Sequence, residues 1–198
     1  MTQDLYKTVT SHWVAPTEFP KIEGRIAIDL ETCDPELIKH GPGWPTKKGK
    51  VIGIAIATAS FKAYYPIAHD GGGNMDEKKI VKYVKSICDD ETIEKIFHNA
   101  QYDIGWLWTL GIEVKGKVHD TMVAAALIDE NRYSYTLNSI VHEYLGEFKN
   151  EQKLKEAAEA FGVDPKSEMY KLPAEFVGEY AEADADLTYK LHEKLSWE

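Results

Sequence analysis

Two carboxylates occupy alternate positions near the end of the segment spanning residues 25–32. Large apolar residues alternate there with a second set of residues, the last two of which are Asp29 and Glu31. This period of two predicts a β-strand, on which residues of one face lie about 6.5–7 Å apart. Carboxylates this close repel each other and stay ionised together only when cations neutralise them. Asp29 and Glu31 are therefore candidate ligands of a hard metal ion, unless the strand simply ends there and both side chains are solvated.

Two further carboxylates each lie one helical turn from a polar partner. Asn99 and Asp103 are four residues apart in one predicted helix, and Tyr180 and Asp184 are four residues apart in another. Residues at this spacing share a helical face. Either pair alone is typical of a solvated helix surface. The acidic stretches taken together, in this order along the chain, indicate one site.

Other polar residues near these stretches are interpreted as structural. Asp120 lies at a strand-to-helix junction, where Asp is a preferred N-cap. His98 and His119 lie beside such residues, but an oxygen-rich site for a hard cation does not need imidazole. Cys33 and Cys88 are interpreted as reduced thiols, since so few cysteines without a signal peptide are typical of a cytosolic protein.

The elements that must position these side chains alternate between strands and helices after an antiparallel start. Strands are predicted over residues 25–32, 51–58, 61–67, 92–98 and 114–118. Helices are predicted over residues 75–88, 99–110, 120–128, 135–145, 151–161 and 174–195. Residues 33–50 are rich in Gly and Pro and are predicted to form a loop. This order predicts an α/β or α+β domain with a mixed sheet.

The acidic motifs, considered as a set, resemble those of the DEDD exonuclease superfamily in its tyrosine-bearing branch. The residues that carry the resemblance are Asp29, Glu31, Asn99, Tyr102, Asp103, Tyr180 and Asp184. Over roughly residues 22–195 the chain is similar to the 3′–5′ proofreading domain of family A, phage-type DNA polymerases. The resemblance implies a ribonuclease H-like α/β fold, in which helices flank a central mixed five-stranded sheet.

The resemblance also implies two divalent metal ions, Mg²⁺ or Mn²⁺, as cofactors. The implied ligands are Asp29, Glu31, Asp103 and Asp184. Asp29 would bridge the two ions. Glu31 and Asp184 would complete the site of one ion, and Asp103 would hold the other through water. Four carboxylates contribute a charge of −4, which two divalent ions cancel.

The same resemblance implies roles for two further residues. Tyr180 would orient the attacking water, and Asn99 would orient a neighbouring ligand without binding metal. The residues expected to contact the substrate are Thr32, Leu37, Trp44, Lys47, Lys48 and Tyr102. Leu37 lies beyond the position where the family often places an apolar wedge. Trp44 and its neighbouring lysines either stack a base and neutralise phosphates or form an ordinary loop with a packed Trp.

Composition limits the partners that the chain can bind. Its 33 acidic and 23 basic residues give a net charge of −10, which argues against a grip on long duplex DNA but not against a few nucleotides held through metal ions. No apolar run is long enough to span a membrane, and the N-terminus does not resemble a secretory signal. We therefore expect no membrane partner and a location in the cytoplasm of a bacterium or a phage-infected host.

These observations predict a metal-dependent 3′–5′ exonuclease. Its substrate would be the 3′ end of single-stranded DNA, its products nucleoside 5′-monophosphates, and its role proofreading beside a polymerase domain or replisome protein. Residues 1–24 are expected to form a lead-in segment, and residues 25–198 a single exonuclease domain without a polymerase region. The alternatives are a stand-alone 3′–5′ exoribonuclease of the same superfamily and a non-catalytic nucleic-acid-binding scaffold.

Overall fold

A computed structural model describes residues 9–196. Within them, five strands form one mixed sheet in the order β3-β2-β1-β4-β5. The strands are β1 (Arg25–Cys33), β2 (Lys50–Ala57), β3 (Lys62–Pro66), β4 (Glu94–Phe97) and β5 (Val118–Asp120). The helices are α1 (Leu37–His40), α2 (Glu77–Asp89), α3 (Ala100–Thr109), α4 (Thr121–Ile128), α5 (Leu137–Leu145), α6 (Gln152–Phe161) and α7 (Gly178–Leu195). The predicted α/β architecture with a mixed five-stranded sheet is confirmed.

The central strand β1 separates two apolar layers, as its alternating sequence predicts. Ile26, Ile28 and Leu30 pack in the cluster that includes residues of α2 and α3, whereas Ala27 packs in the cluster that includes α6 and α7. β1 pairs antiparallel with β2 and parallel with β4. Asp29 and Glu31 share the face of Ala27, so the fold directs both carboxylates towards the α7 side of the sheet.

Helix α7 is the longest helix described, at 18 residues, and covers the second face of the sheet. Its Ala181 and Ala185 pack on the strands, and Leu191 packs with α4 and α5. Small side chains at the strand-facing positions let the helix approach the sheet closely. None of the helices in residues 9–196 is both long and apolar enough to cross a membrane.

The lead-in segment packs against the start of α7 without forming a helix or strand over residues 9–24. The ring of Trp13 lies so close to Gly178 that a Cβ there would be 2.1 Å from a ring carbon. Trp13 Nε1 donates to Glu182 at 2.9 Å, and the same carboxylate oxygen accepts the N–H of Tyr64 at 3.2 Å. Trp13 and Glu182 thus join the lead-in, α7 and β3. Residues 1–8 of the predicted lead-in lie outside the described part.

The fifth strand and the last helix differ from the predicted bounds. The strand predicted over residues 114–118 begins only at Val118, because the chain turns at Gly116 with φ of +76°. The last helix begins at Gly178, after a 3₁₀ turn over Ala174–Phe176. The loop predicted over residues 33–50 contains α1 and a second 3₁₀ turn, Trp44–Thr46.

Asp120 caps α4, as predicted, and also binds the start of α3. Its carboxylate accepts N–H groups from Met122 and Val123 in α4 and from Asn99 and Ala100 at the start of α3. One side chain therefore accepts N–H groups at the starts of two helices that would otherwise lack a partner. It also fixes the first turn of α3, which carries Asp103.

We expect Asp120→Ala to lower the free energy of unfolding by about 1–3 kcal/mol, because it leaves N–H groups of two helix starts without their acceptor. Asp76→Ala is the matched control, since Asp76 accepts one N–H, from Lys79, at the start of α2. Urea denaturation of both variants measures the difference. Equal losses would show that the second helix contributes nothing to the effect.

Candidate active site

Three carboxylates meet between the central strand and α7. One oxygen each from Asp29, Glu31 and Asp184 lies within 4.8 Å of the others. Asp29 and Glu31 are partly buried, and Asp184 is 6% exposed. The register of the pairing between β1 and β2 shifts at this point, between Glu31 and Thr32. The structure thus brings together three of the four predicted metal ligands, although Asp184 lies far along the sequence from the other two.

The fourth predicted ligand, Asp103, approaches from the end of β4. Strand β4 stops at Phe97 while its neighbour β1 continues, and α3 starts in the space that follows. Asp103 Oδ1 accepts the backbone N–H of Leu30 at 3.2 Å, and Asp103 is 4% exposed. This hydrogen bond fixes Asp103 beside β1, next to but outside the group formed by the other three carboxylates.

Burial and mutual repulsion make these carboxylates weak acids when no cation is bound. Burial, followed by the charge of Asp184, raises the pKa of Asp29 to about 8. Burial and the charge of Asp29 hold the pKa of both Glu31 and Asp103 well above the usual range. Burial also raises the pKa of Asp184. The cluster therefore favours either protons or a compensating cation.

Tyr180 and Lys149 lie together at the edge of the cluster. Lys149 Nζ lies 2.5 Å from Asp184 Oδ2 and donates to the Tyr180 hydroxyl at 3.1 Å. The same ammonium lies 4.5 Å from the centre of the Tyr180 ring. Burial raises the pKa of Tyr180 above its usual value. Its hydroxyl therefore keeps its proton and can act as a hydrogen-bond donor.

The donor set fits a hard divalent cation. All the grouped ligands are carboxylate oxygens, which Mg²⁺ and Mn²⁺ prefer. Asp184 Oδ1 is buried and has no hydrogen-bond partner within residues 9–196. Burying an unpaired carboxylate oxygen beside two other carboxylates costs free energy of folding unless a cation binds that oxygen. Asp29, Glu31 and Asp184 are the residues that would hold such an ion, with Asp103 beside them.

A buried tyrosine lies beside this cluster on the same face of the sheet. Glu31 faces Gly53 on β2, and a Cβ at position 53 would lie 2.0 Å from the hydroxyl oxygen of Tyr64. That hydroxyl also bonds to His69 Nε2 at 2.7 Å, while His69 Nδ1 bonds to the carbonyl of Leu172. The absence of a side chain at Gly53 thus leaves room on β2 for the Tyr64 ring, next to the acidic strand β1.

Two residues predicted to contact substrate bind each other. The hydroxyls of Thr32 and Tyr102 are 2.8 Å apart, and the Tyr102 hydroxyl donates to Asp34 Oδ2 at 3.1 Å. Asp34 Oδ2 also accepts the N–H of Gly43. Thr32 and Tyr102 therefore anchor the loop that follows β1, and their contact with a substrate stays a prediction.

The other predicted substrate residues lie in or near that loop. Trp44 packs against α3 at Gly105, where a Cβ would be 2.3 Å from the indole ring. Lys47 is exposed, Lys48 pairs with Glu36 at 2.8 Å, and Leu37 is 41% exposed. Their roles towards a substrate also remain predictions.

The remaining polar residues near the motifs make local contacts. Asn99 is exposed and has a left-handed backbone conformation, with φ of 69°. Its side chain makes no capping hydrogen bond to α3. Its predicted orienting role is not tested by this geometry. The rings of His98 and His119 bond to Thr121 and Glu94 respectively, in keeping with structural roles.

Sequence reasoning missed Lys149. It lies between α5 and α6, 35 residues before the aspartate that it contacts. A lone lysine in a connecting segment carries no periodicity and no motif spacing. Only the fold shows that its side chain, 8% exposed, enters the acidic cluster.

The mixed sheet and its flanking helices form a ribonuclease H-like fold. RNase D of Trypanosoma brucei superposes with a TM-score of 0.64 at 22% identity, covering 87% of this chain and 57% of its own. NrnC of Brucella melitensis with bound Mg²⁺ superposes with a TM-score of 0.58 at 18% identity, covering 88% and 73%. Likenesses at this level of identity establish the fold alone.

The chain belongs to the 3′–5′ exonuclease family found in family A DNA polymerases, whose model matches residues 17–198. A DNA-directed DNA polymerase of Pseudomonas phage M6 is 39% identical over 191 residues, which is 92% of this chain and 29% of that protein. DNA polymerase I of Pseudomonas aeruginosa is 26% identical over 178 residues, covering 86% and 18%. The chain thus spans less than a third of the length of these relatives. The resemblance inferred from the acidic motifs is confirmed.

We expect the protein without divalent ions to lose stability as the pH rises from about 4 to about 8. An acid whose pKa is raised on folding stabilises the folded state below its unfolded pKa, and this contribution is lost as the pH passes its folded pKa. For Asp29 those values are 3.8 and about 8. Urea midpoints measured in chelator across this range test the sign, and added Mg²⁺ is expected to reduce the decline.

Asp29→Asn serves as the control for this pH dependence, because it removes one titrating group without changing the shape of the side chain. The variant is expected to lose less stability over the same range. A midpoint that rises with pH in the chelated wild-type protein would contradict the assignment of raised pKa values to the cluster.

Proposed function

We propose that this chain is a divalent-metal-dependent 3′–5′ exonuclease that acts on single-stranded DNA ends and releases nucleoside 5′-monophosphates. Its proposed role is proofreading for a family A DNA polymerase, in the cytoplasm of a bacterium or a phage-infected host. Its proposed partners are the DNA 3′ end and a polymerase domain or replisome protein. The observation that carries the proposal is the convergence of Asp29, Glu31 and Asp184 within 4.8 Å, with Asp103 fixed beside β1.

The proposed chemistry is hydrolysis of the terminal phosphodiester. Two divalent ions, when bound, would lower the pKa of a water molecule and stabilise the leaving oxygen. Asp29, Glu31 and Asp184 would hold one ion, while Asp29 and Asp103 would hold the second. Because these side chains come from a central strand and from helices packed on it, their separations are set by the fold before any ligand binds.

Tyr180 is the proposed orienter of the attacking water. It lies one turn before Asp184 on α7, so its hydroxyl and the metal-binding carboxylate project from the same helical face. Burial keeps the phenol protonated. The hydroxyl is therefore able to donate to the oxygen of a water molecule and hold its lone pair towards the phosphorus.

The relatives support DNA as the substrate, whereas the structural neighbours keep RNA as the second candidate. The phage M6 relative is a DNA-directed DNA polymerase at 39% identity. The T. brucei neighbour is an RNase D at 22% identity, and it supports the alternative of a stand-alone exoribonuclease. The complete acidic set argues against the third alternative, a non-catalytic scaffold, because a binding protein gains nothing from buried carboxylates that repel one another.

Matched 5′-labelled DNA and RNA oligomers of one sequence test the proposal. With Mg²⁺ we expect the DNA to shorten one nucleotide at a time from its 3′ end, faster than the RNA, and not at all in chelator. Asp29→Ala is expected to abolish cleavage yet remain folded, because removal of one carboxylate relieves repulsion. Degradation of RNA alone would overturn the proofreading role, and cleavage by Asp29→Ala at the wild-type rate would overturn the site.

Tyr180→Phe is expected to slow cleavage by about 10²-fold and to leave metal binding intact, since the variant loses only the hydroxyl that orients the water. Single-turnover rates measure the first effect, and calorimetric titration with Mn²⁺ measures the second. A large loss of metal affinity would instead make Tyr180 a support for the ligands.

A further inference from the structure

Lys149 places a positive charge inside the acidic cluster. Its ammonium lies 2.5 Å from Asp184 Oδ2, and both side chains are 8% exposed. The ammonium also donates to the Tyr180 hydroxyl. An ion pair this enclosed is weakly screened by water and salt. Lys149 is therefore part of the electrostatics of the site rather than of the protein surface.

The influence of this ammonium extends beyond its direct partner. Its charge lowers the pKa of Asp29, Glu31 and Asp184 against the opposing effect of burial. A single +1 charge thus compensates part of the repulsion among three carboxylates. This is the same electrostatic task that a divalent ion performs at such a site.

The ammonium and a divalent ion compete for the same carboxylate. Asp184 Oδ2 is occupied by Lys149, whereas Asp184 Oδ1 is unpaired among residues 9–196. A divalent cation held by Asp29, Glu31 and Asp184 would lie next to the ammonium, and two cations at short range repel each other. Full occupancy of the site by metal therefore favours withdrawal of Lys149.

The surroundings of Lys149 offer a place for the withdrawn side chain. It lies in the segment between α5 and α6 that forms no helix or strand, and it lines a cleft of about 500 Å³. Glu151, Glu156 and Glu159 line the same cleft. The ammonium can thus leave the cluster and remain near acidic groups without a rearrangement of the sheet or of α7.

We propose that Lys149 is a tethered counter-ion of the metal site, which neutralises the cluster when divalent ions are absent and is displaced when they bind. By competing for Asp184, it raises the concentration of divalent ion at which the site fills. The inference rests on the proposed function, because it takes the acidic cluster as a site for divalent ions. It assigns this lysine a role that the acidic motifs do not contain.

Calorimetric titration with Mn²⁺ in the absence of nucleic acid tests the proposal on the full chain. Lys149→Met keeps most of the side-chain volume and removes the charge, and it is expected to bind Mn²⁺ about tenfold more tightly than the wild-type protein. Lys149→Arg keeps the charge and is expected to stay near the wild-type affinity. Lys153→Met is the matched control, since Lys153 pairs with Glu179 of α7, the helix that carries Asp184, but is 58% exposed. The Mn²⁺ affinity of this variant should equal that of the wild-type protein.

Thermal melting provides a second measurement. In chelator, Lys149→Met is expected to melt several degrees below the wild-type protein, because the carboxylates lose their counter-ion. In saturating Mn²⁺ the two proteins are expected to melt together, because the ion replaces the ammonium. If Lys149→Met folds only with metal, Lys149→Gln supplies the affinity measurement, and metal-dependent folding itself supports the proposal.

The outcomes separate this inference from the proposed function. If the wild-type protein binds Mn²⁺ and Lys149→Met binds it no more tightly, the counter-ion role is overturned while the metal site stands. Equal destabilisation of Lys149→Met with and without Mn²⁺ would show that Lys149 only stabilises the fold, and this result would also overturn the counter-ion role. If the wild-type protein binds no divalent ion, the proposed function fails first.

Discussion

Repulsion among carboxylates in an enclosed space is the constraint on which the rest of this structure depends. Asp29, Glu31 and Asp184 are close enough that their charges oppose one another, and their burial makes each charge more costly. No local sequence preference would bring Asp184 to the two carboxylates of β1, which repel it. The free energy for doing so comes from the apolar layers on both sides of the sheet.

The architecture distributes the ligands over elements that differ in how they are held. β1 is the middle strand and is paired on both sides, so two carboxylates are fixed by the backbone itself. Asp184 depends on the seating of α7, which Trp13 and Glu182 secure at its first turns. Asp103 depends on the start of α3, which Asp120 secures. Residues remote from the site thereby contribute to its geometry through the elements that they fasten.

Much of this arrangement could be predicted because it rests on short-range patterns. The alternation in residues 25–32, the i, i+4 pairs and the cap at Asp120 are local, and the structure contains each of them. The four carboxylates were predicted as ligands from motif spacing, which is a property of the sequence, and the structure groups three of them. The short strand β5 was misplaced, since three residues give too little periodicity to locate a strand, and pairing with β4 decides its position.

Interactions between distant segments escaped sequence reasoning. Lys149 reaches Asp184 only because the segment between α5 and α6 returns over the cluster. The packing of Trp44 on Gly105 depends on the crossing of a loop and a helix that share no sequence signal. Such contacts follow from tertiary packing, and a lone lysine or tryptophan in a connecting segment is compatible with many environments.

The contacts of Gly53 and Gly178 have an evolutionary consequence. At each position a ring from elsewhere in the chain, Tyr64 or Trp13, occupies the volume that any larger side chain would need. Each glycine can therefore be replaced by a larger residue only after its aromatic partner has been replaced by a smaller one. Within each pair, we expect the glycine and the aromatic residue to change together among descendants of this sequence, with the glycine replaced last.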